Sequence, residues 1–439
     1  MIASPITGRR WPVSTASMSS AVPPLVLVPV AAAVAMLPFL KPSGPGNSSP
    51  VDVLIALSIG VTLFWAGYSR LELRLPYALA VALIMIGGAV ASLAGPLPEL
   101  GLLAVVQDLI LLAWCAVIVN VARSANAFKW LMRAWTWSAF GWAVLLIFAV
   151  ATGNLALAGI TERTGVRASL TFGDPNYAAN YFFLALMMVM ATQTPRRRVV
   201  RMVVYAALLA ALALTGSNGG LLSFAIGSAV VAASFIARRW GRIPLLATLC
   251  AVAVVVVLAP MATQSLPLEA WARDSGQPLL RDSIGRSSQS AQERAWLIQE
   301  TIQLFKQGVP WGLGPGSTKP LLQSQLAPYA YQTHDDYIES IVERGVVGAL
   351  GMLILIGSVA IRTWTVATRP LPSELAEVFP RTSPLVGAVL GLAVAATYYQ
   401  ILHFRHVWVF LAVIAALYLA ARVEKQTDQV SPTFAPADA

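Results

Sequence analysis

The polar run 331–337 contains the residues with the clearest capacity for chemistry. It reads Tyr-Gln-Thr-His-Asp-Asp-Tyr, and its His334 is one of only three histidines in the chain. An imidazole exchanges a proton near neutral pH, and a neighbouring carboxylate can fix its tautomer. His334, with its titratable neighbours Asp335 and Asp336, is therefore the best candidate for chemistry in this sequence. A histidine that only caps a helix at the membrane interface is the alternative.

A second polar segment, 163–180, begins with two arginines. Arg163 and Arg167 lie four residues apart, so in a helix both guanidinium groups share one face. Paired guanidinium groups bind diphosphates well. Salt bridges to Glu162 or to other acids of the loop are the competing interpretation.

Asp174 and Pro175 follow these arginines and have the residue types that begin a helix. Aspartate is a preferred N-cap, and proline fits the first helical turn. Asp174 and Pro175 either only begin the helix or also border a binding site. The remaining candidates for diphosphate or substrate binding are Asn176, Asn218, Arg286, Arg294, Arg405 and His406. Arg405 either contacts a phosphate or extends its side chain so that the guanidinium group reaches the membrane interface.

The elements that position these residues are apolar helices. Hydrophobic residues make up 57% of the chain and charged residues 11%, with a mean hydropathy of +0.70. This composition predicts an all-α polytopic membrane protein of about twelve helices. The predicted segments are 23–40, 51–68, 76–95, 100–122, 128–152, 177–192, 199–216, 219–237, 243–262, 338–361, 383–402 and 406–421.

The net charge of +10 reflects topology, because most basic residues fall on alternate loops. That pattern argues against a nucleic-acid partner and predicts cytoplasmic termini. The predicted regions are a tail 1–22, helices 23–262, a periplasmic loop 263–337, helices 338–424 and a tail 425–439.

The long loop 263–337 has structure of its own in this interpretation. Apolar residues in 292–307 follow an amphipathic helical pattern, a glycine-rich turn occupies 311–317, and 319–325 is a second short helix. Beyond the loop, Arg344 would lie about 15 Å deeper than His334 along a helix. Glu343 and Arg344 then either face a cavity or neutralise other buried charges.

Several motifs together resemble the O-antigen ligase and polymerase superfamily of bacterial inner-membrane glycosyltransferases. They are Thr-Phe-Gly-Asp-Pro-Asn at 171–176, Arg-Ala-Trp at 294–296, Gly-Leu-Gly-Pro-Gly at 312–316, His-Asp-Asp-Tyr at 334–337 and Glu-Arg-Gly-Val-Val-Gly at 343–348. Their order and spacing span 163–408. One departure is the short turn Ser-Asn-Gly at 217–219, where members of the family often have Ser-Arg-Gly. Another arginine would then have to bind the phosphate.

The resemblance implies a GT-C-like membrane enzyme that works on the periplasmic side. It would move a glycan from undecaprenyl diphosphate to a sugar hydroxyl of lipid A-core, without a metal or other cofactor. Direct attack with His334 as base predicts inversion at the anomeric carbon. The polymerase alternative would use another lipid-linked repeat as acceptor, giving O-antigen or exopolysaccharide.

Two other classes have the same general size and helix count. A lipid-linked glycan transporter normally has internal repeats and charges near the midplane, and this sequence has no visible repeat. A peptidoglycan glycosyltransferase of the shape, elongation and division type relies on a loop aspartate, whereas the motif here centres on a histidine.

Overall fold

The computed structural model describes residues 21–44, 48–162, 164–241, 268–307, 310–325 and 335–430, and helices dominate these ranges, which contain no β-strand. The first nine helices are α1 Pro24–Ala35, α2 Pro50–Tyr68, α3 Ala78–Ala94, α4 Pro98–Val121, α5 Ala125–Ala151, α6 Leu155–Ala158, α7 Pro175–Thr192, α8 Arg198–Leu214 and α9 Asn218–Trp240. They are followed by α10 Leu268–Asp274, α11 Pro278–Asp282, α12 Ser287–Gln307, α13 Thr318–Gln325, α14 Asp336–Thr368, α15 Ser373–Val378, α16 Ser383–Ala395 and α17 Arg405–Val430. Single 3₁₀ turns cover Leu170–Phe172, Ile284–Arg286 and Ile401–His403.

Six of the described helices are long and apolar enough to cross a membrane by length and composition. They are α2, α4, α5, α9, α14 and α17, and α1, α3 and α16 are shorter apolar helices. The chain is therefore a multi-pass membrane protein. Eleven of the twelve predicted segments coincide with a helix, while 243–262 lies outside the described residues. The count of twelve spans and the sidedness of the loops stay predictions.

Two predicted boundaries differ from the structure for local reasons. The predicted segment 338–361 begins earlier, at Asp336, because the Asp335 side chain caps α14. The predicted segment 383–402 ends as a helix at Ala395, and a turn and the Ile401–His403 3₁₀ turn follow. Here the N–H of Ile401 bonds to a carboxylate of α14 instead of a helical carbonyl. The connection 396–404 thereby becomes part of a cavity wall.

Glycines allow α3 and α14 to pack at very short range. A Cβ added at Gly87 would lie 2.5 Å from the backbone nitrogen of Gly348, and one at Gly351 would lie 2.7 Å from the carbonyl oxygen of Ala80. Small residues at such contacts drive helix association in membranes through backbone packing. The α3–α14 contact fixes α14, which carries most of the candidate site.

Helix α7 forms the centre of the bundle. Its residues 178–189 are all buried, among them Tyr181, Phe182 and Phe183 with no exposed surface. The helix is flanked by α5, α8, α9 and α16. Because every face of α7 packs on protein, its N-terminal end is held rigidly against the candidate site.

The described part of the long loop is helical, as predicted. Helix α12 includes the predicted amphipathic stretch, and α13 contains the predicted short helix. Leu297 and Leu304 of α12 pack with Leu322 of α13 in a small apolar cluster. This cluster holds α12 and α13 together beside α14.

Candidate active site

A break in α14 shapes the candidate site. At Gly345 the backbone adopts φ 63° and ψ −166°, so α14 consists of two helices joined at a kink. The carbonyls of Val342 and Glu343 accept hydrogen bonds of 2.9 Å from the N–H groups of Leu313 and Gly314. A Cβ at Gly345 would lie 2.3 Å from the backbone of this turn, so the close approach requires glycine. The predicted glycine-rich turn thus replaces helical hydrogen bonds that the kink removes.

A cavity of about 670 Å³ opens beside this kink. It lies between α4, the start of α7, the glycine-rich turn with α13, and the connection 396–404. Its polar lining consists of Gln107, Asp174, Asn176, Tyr177, Lys319, Gln323, Glu343, Tyr399, Gln400 and His403. A volume of this size accommodates a ligand of several hundred daltons.

Three arginines of the predicted diphosphate site lie near one another, and two of them contact residues that line this cavity. Arg167 donates from Nη2 to Oδ1 of Asn176 at 2.8 Å. Arg294 lies over the ring of Tyr399, with 5.9 Å between its guanidinium carbon and the ring centroid. The pKa of Arg167 is lowered, most by burial and then by the nearby positive charges of Arg286 and Arg294. Within the described ranges none of the three arginines belongs to an ion pair.

The short turn 215–219 supports this arginine group through its backbone. Arg167 donates from Nε to the carbonyl of Thr215 at 3.1 Å, and Gly216 adopts a φ of 56° beside the same side chain. Asn218 donates from Nδ2 to the carbonyl of Ser283 at 3.2 Å. Asn218 therefore connects the turn to the segment that carries Arg286.

The start of α7 confirms the predicted cap. Asp174 Oδ1 accepts a hydrogen bond of 2.7 Å from the N–H of Asn176, with Pro175 in the first turn. The helical spacing assumed for Arg163 and Arg167 does not apply, because 164–166 form turns, with Gly165 at a φ of 61°. Arg163 itself lies outside the described residues.

The two aspartates after His334 are engaged with backbone. Asp335 Oδ1 accepts two hydrogen bonds of 2.9 Å from N–H groups in the first turn of α14. Burial raises the pKa of Asp335, and these two hydrogen bonds oppose the rise. Asp336 Oδ2 accepts from the N–H of Ile401 at 2.7 Å, which fastens the connection 396–404 to α14. His334 lies outside the described residues, so its contact with either carboxylate stays a prediction.

Arg405 and His406, at the start of α17, are engaged with neighbouring helices. Arg405 donates to both carboxylate oxygens of Asp52, from Nε at 2.6 Å and from Nη2 at 2.5 Å. His406 is buried, and its Nε2 lies 2.9 Å from Oδ1 of Asn180 in α7. These contacts fix α17 against α2 and α7.

Tyr399 and Gln400 are site residues that the sequence analysis missed. The hydroxyl of Tyr399 lies 2.9 Å from that of Ser217, and its ring lies beneath Arg294. Gln400 lines the cavity one residue further on. The available signal was the run Thr-Tyr-Tyr-Gln at 397–400, which is unusually polar for the end of a predicted span. Lys319 was also missed as a lining residue, although it opens the predicted second short helix.

Comparison with known proteins agrees with this geometry. Residues 203–353 match the family model described as O-antigen ligase. This match supports a place in the O-antigen ligase-like superfamily. The matched segment is about a third of the chain and includes Asn218, Arg286 and Arg294 as well as the kink in α14. No curated protein matches the chain. The match indicates a glycosyltransferase-like ligase or polymerase.

Proposed function

We propose that this chain is an O-antigen ligase of the bacterial inner membrane. It transfers a glycan from undecaprenyl diphosphate to a sugar hydroxyl of lipid A-core on the periplasmic side. The reaction inverts the anomeric centre and needs no metal. The observation that carries the proposal is a group of three arginines near the large cavity, Arg167, Arg286 and Arg294, none of which forms an ion pair in the described part of the chain.

The contrast with other arginines supports the donor assignment. Arg344 and Arg405, which lie among the helices, are each paired with an aspartate at 2.5 Å. Asp174 and Asp282 lie near enough to interact with Arg167 and Arg286, but neither forms an ion pair with them among the described residues. Grouped guanidinium charges repel each other, and an anionic ligand relieves that repulsion. A diphosphate carries the right charge and accepts hydrogen bonds from several guanidinium groups at once. The arginines would stabilise the charge that develops on the leaving diphosphate.

The arginine group also compensates for the arginine that is missing from the turn 217–219. Asn218 stands where relatives often have arginine, yet its side chain bonds to Ser283, two residues after Arg281 and three before Arg286. Arg286 and Arg294 approach the turn from the long loop. We infer that these loop arginines supply the phosphate-binding charge that the turn itself lacks.

His334 is the proposed base for the acceptor hydroxyl. It directly precedes Asp335, which caps α14, and the first turns of α14 form part of the cavity region. In the transfer step the hydroxyl oxygen bonds to the anomeric carbon while the bond from that carbon to the diphosphate oxygen breaks. The electron pair leaves with the diphosphate, and the hydroxyl proton passes to the imidazole.

The lipopolysaccharide of a deletion strain tests the choice between ligase and polymerase. For a ligase we expect gel bands of core without attached chains, together with accumulation of lipid-linked polymer. Core that carries a single repeat would assign the chain to the polymerase branch instead. An unchanged ladder would remove both assignments.

A further inference from the structure

A second, much smaller cavity lies deeper in the bundle, beside the large one. Its volume of about 30 Å³ is enough for one water molecule. Glu343 and His403 line both cavities. The ionisable lining residues of the small cavity are Asp108, Asp336, Glu339, Glu343, Arg344 and His403. Four carboxyl groups thus surround a space that holds one guanidinium group and one imidazole.

Three of these carboxyl groups have good hydrogen-bond donors. Asp108 Oδ2 accepts from Nη1 of Arg344 at 2.5 Å. Asp336 accepts from the backbone N–H of Ile401. Glu343 accepts from two backbone N–H groups, that of Gly316 in the glycine-rich turn at 2.8 Å and that of Thr318 at the start of α13 at 3.2 Å. These donors stabilise the ionised form of each group.

Glu339 is different from the other three. The side chain is 5% exposed, and only its Oε2 has a donor, the side-chain amide of Gln400. Its Oε1 is buried and has no hydrogen-bond partner in the part of the chain that the structure describes. A buried carboxylate with one bare oxygen is costly, whereas a carboxylic acid has an O–H that can donate to a water molecule.

We propose that Glu339 is a proton-binding site, occupied at neutral pH, with one water molecule beside it in the small cavity. The unpartnered oxygen, the water-sized space and the surplus of carboxyl groups all favour a bound proton. A metal ion fits less well, because no group of three His, Cys, Asp or Glu residues among those described is arranged to hold one.

The position of Glu339 couples this proton to the donor site, and this step rests on the proposed function. Gln400 bonds to Glu339 and lines the large cavity, and the preceding Tyr399 lies beneath Arg294. Loss of the proton would add a negative charge beside Gln400, which lines the donor cavity. An anionic donor would then bind more weakly, so the proton and the diphosphate bind with positive coupling.

Other charged groups also act on Glu339. On its own helix they are Asp335, Asp336, Glu343 and Arg344. Helix α4 contributes Asp108 and the connection 396–404 contributes His403, whereas α3 and α17 contribute Val81, Ile84 and Trp408 to the lining. Burial lowers the pKa of the His403 imidazole, so this group is neutral at pH 7 and does not supply a second cation.

Infrared spectroscopy of the purified full-length protein tests the proton directly, with no substrate present. The wild type should show at neutral pH the carbonyl stretch of a protonated glutamic acid, identified by its shift on carbon-13 labelling of glutamate, and Glu339→Gln should lose this band. Glu374→Gln, which removes an exposed carboxylate, and Glu343→Gln should keep the band. Absence of the band from the wild type, or its persistence in Glu339→Gln, would overturn the proposal. If Glu339→Gln cannot be purified, the wild type alone provides the test. Carbon-13 labelling of glutamate must shift the band, and an unshifted band would overturn the proposal.

The coupling is measured by the KM for the lipid-linked donor as a function of pH. In the wild type, KM should rise by about tenfold as increasing pH removes the Glu339 proton. This is the effect expected of one added negative charge near the donor. Glu339→Gln, which stays neutral, should show a change of less than about twofold. Identical pH dependence in both proteins would refute the coupling. Because the infrared band needs no transfer reaction, failure of the proposed function would not affect that test.

Discussion

Replacement of Arg294 by alanine tests the donor site with little disturbance to the fold. The described contacts of this side chain are with two aromatic rings, its guanidinium carbon lying 5.4 Å from the ring centroid of Tyr398 and 5.9 Å from that of Tyr399. Loss of cation–π contacts at a partly exposed site costs about 0.5–1 kcal/mol of folding free energy. Arg167 is a less clean choice, because its removal also breaks bonds to Thr215 and Asn176.

The expected loss in catalysis follows from the lost phosphate contact. A hydrogen bond to a charged group contributes about 1.5–3 kcal/mol. If Arg294 makes one such bond to the transferred diphosphate in the transition state, kcat/KM for the donor falls by about 10- to 150-fold. Arg294→Lys should recover part of this loss, because lysine keeps the charge but lacks the planar fork.

The assay is transfer of glycan from a lipid-linked donor by purified protein, with kcat/KM determined at fixed acceptor concentration. Arg281→Ala is the matched control, since Arg281 belongs to the same loop but is exposed and paired with Asp282 at 3.0 Å. The control should stay within about twofold of the wild type. Equal values of kcat/KM for Arg294→Ala and the wild type would refute the assignment of the arginine group to the donor.

Three further predictions address the base, the kink and a helix contact. His334→Ala should abolish transfer in protein that is still folded in the membrane, and full activity would exclude His334 as base. Gly345→Ala should destabilise the detergent-solubilised protein by several kcal/mol. The φ of Gly345 is positive, and the new Cβ would lie 2.3 Å from the backbone of the glycine-rich turn. An unchanged melting temperature would contradict this. A double-mutant cycle with Asp52→Asn and Arg405→Gln should give a coupling energy of about 1–3 kcal/mol, because the pair is bidentate and partly buried. A coupling near zero would show that α17 is held against α2 by other contacts.

The sequence predicts most helices correctly because apolar segments have few alternatives in a membrane. The predicted segment 177–192 is short for a membrane span, yet it forms a helix that is buried along nearly its whole length. Asn180 and Tyr181 lower the hydropathy, yet both are buried against protein, where Asn180 bonds to His406. Hydropathy measures transfer into lipid and therefore underestimates a helix that other helices surround.

The candidate site was predicted in part. The local patterns at Asp174 and in the glycine-rich turn could be interpreted correctly, because capping and turn geometry depend on neighbours in the chain. Asp52 and Arg405 are more than 300 positions apart in the sequence, so no local pattern reveals that they pair. The approach of Tyr399 to Arg294 likewise depends on how α12 packs beside the connection 396–404. Tertiary contacts of this kind decide which arginines lack carboxylate partners.

The most direct test of the proposed function uses the purified chain in liposomes with an undecaprenyl-diphosphate-linked glycan and lipid A-core. We predict formation of glycan attached to lipid A-core, with release of one undecaprenyl diphosphate for each chain transferred. The same reaction should proceed in the presence of a metal chelator. Movement of the donor across the bilayer without any new glycosidic product would contradict the proposal and assign the protein to transport.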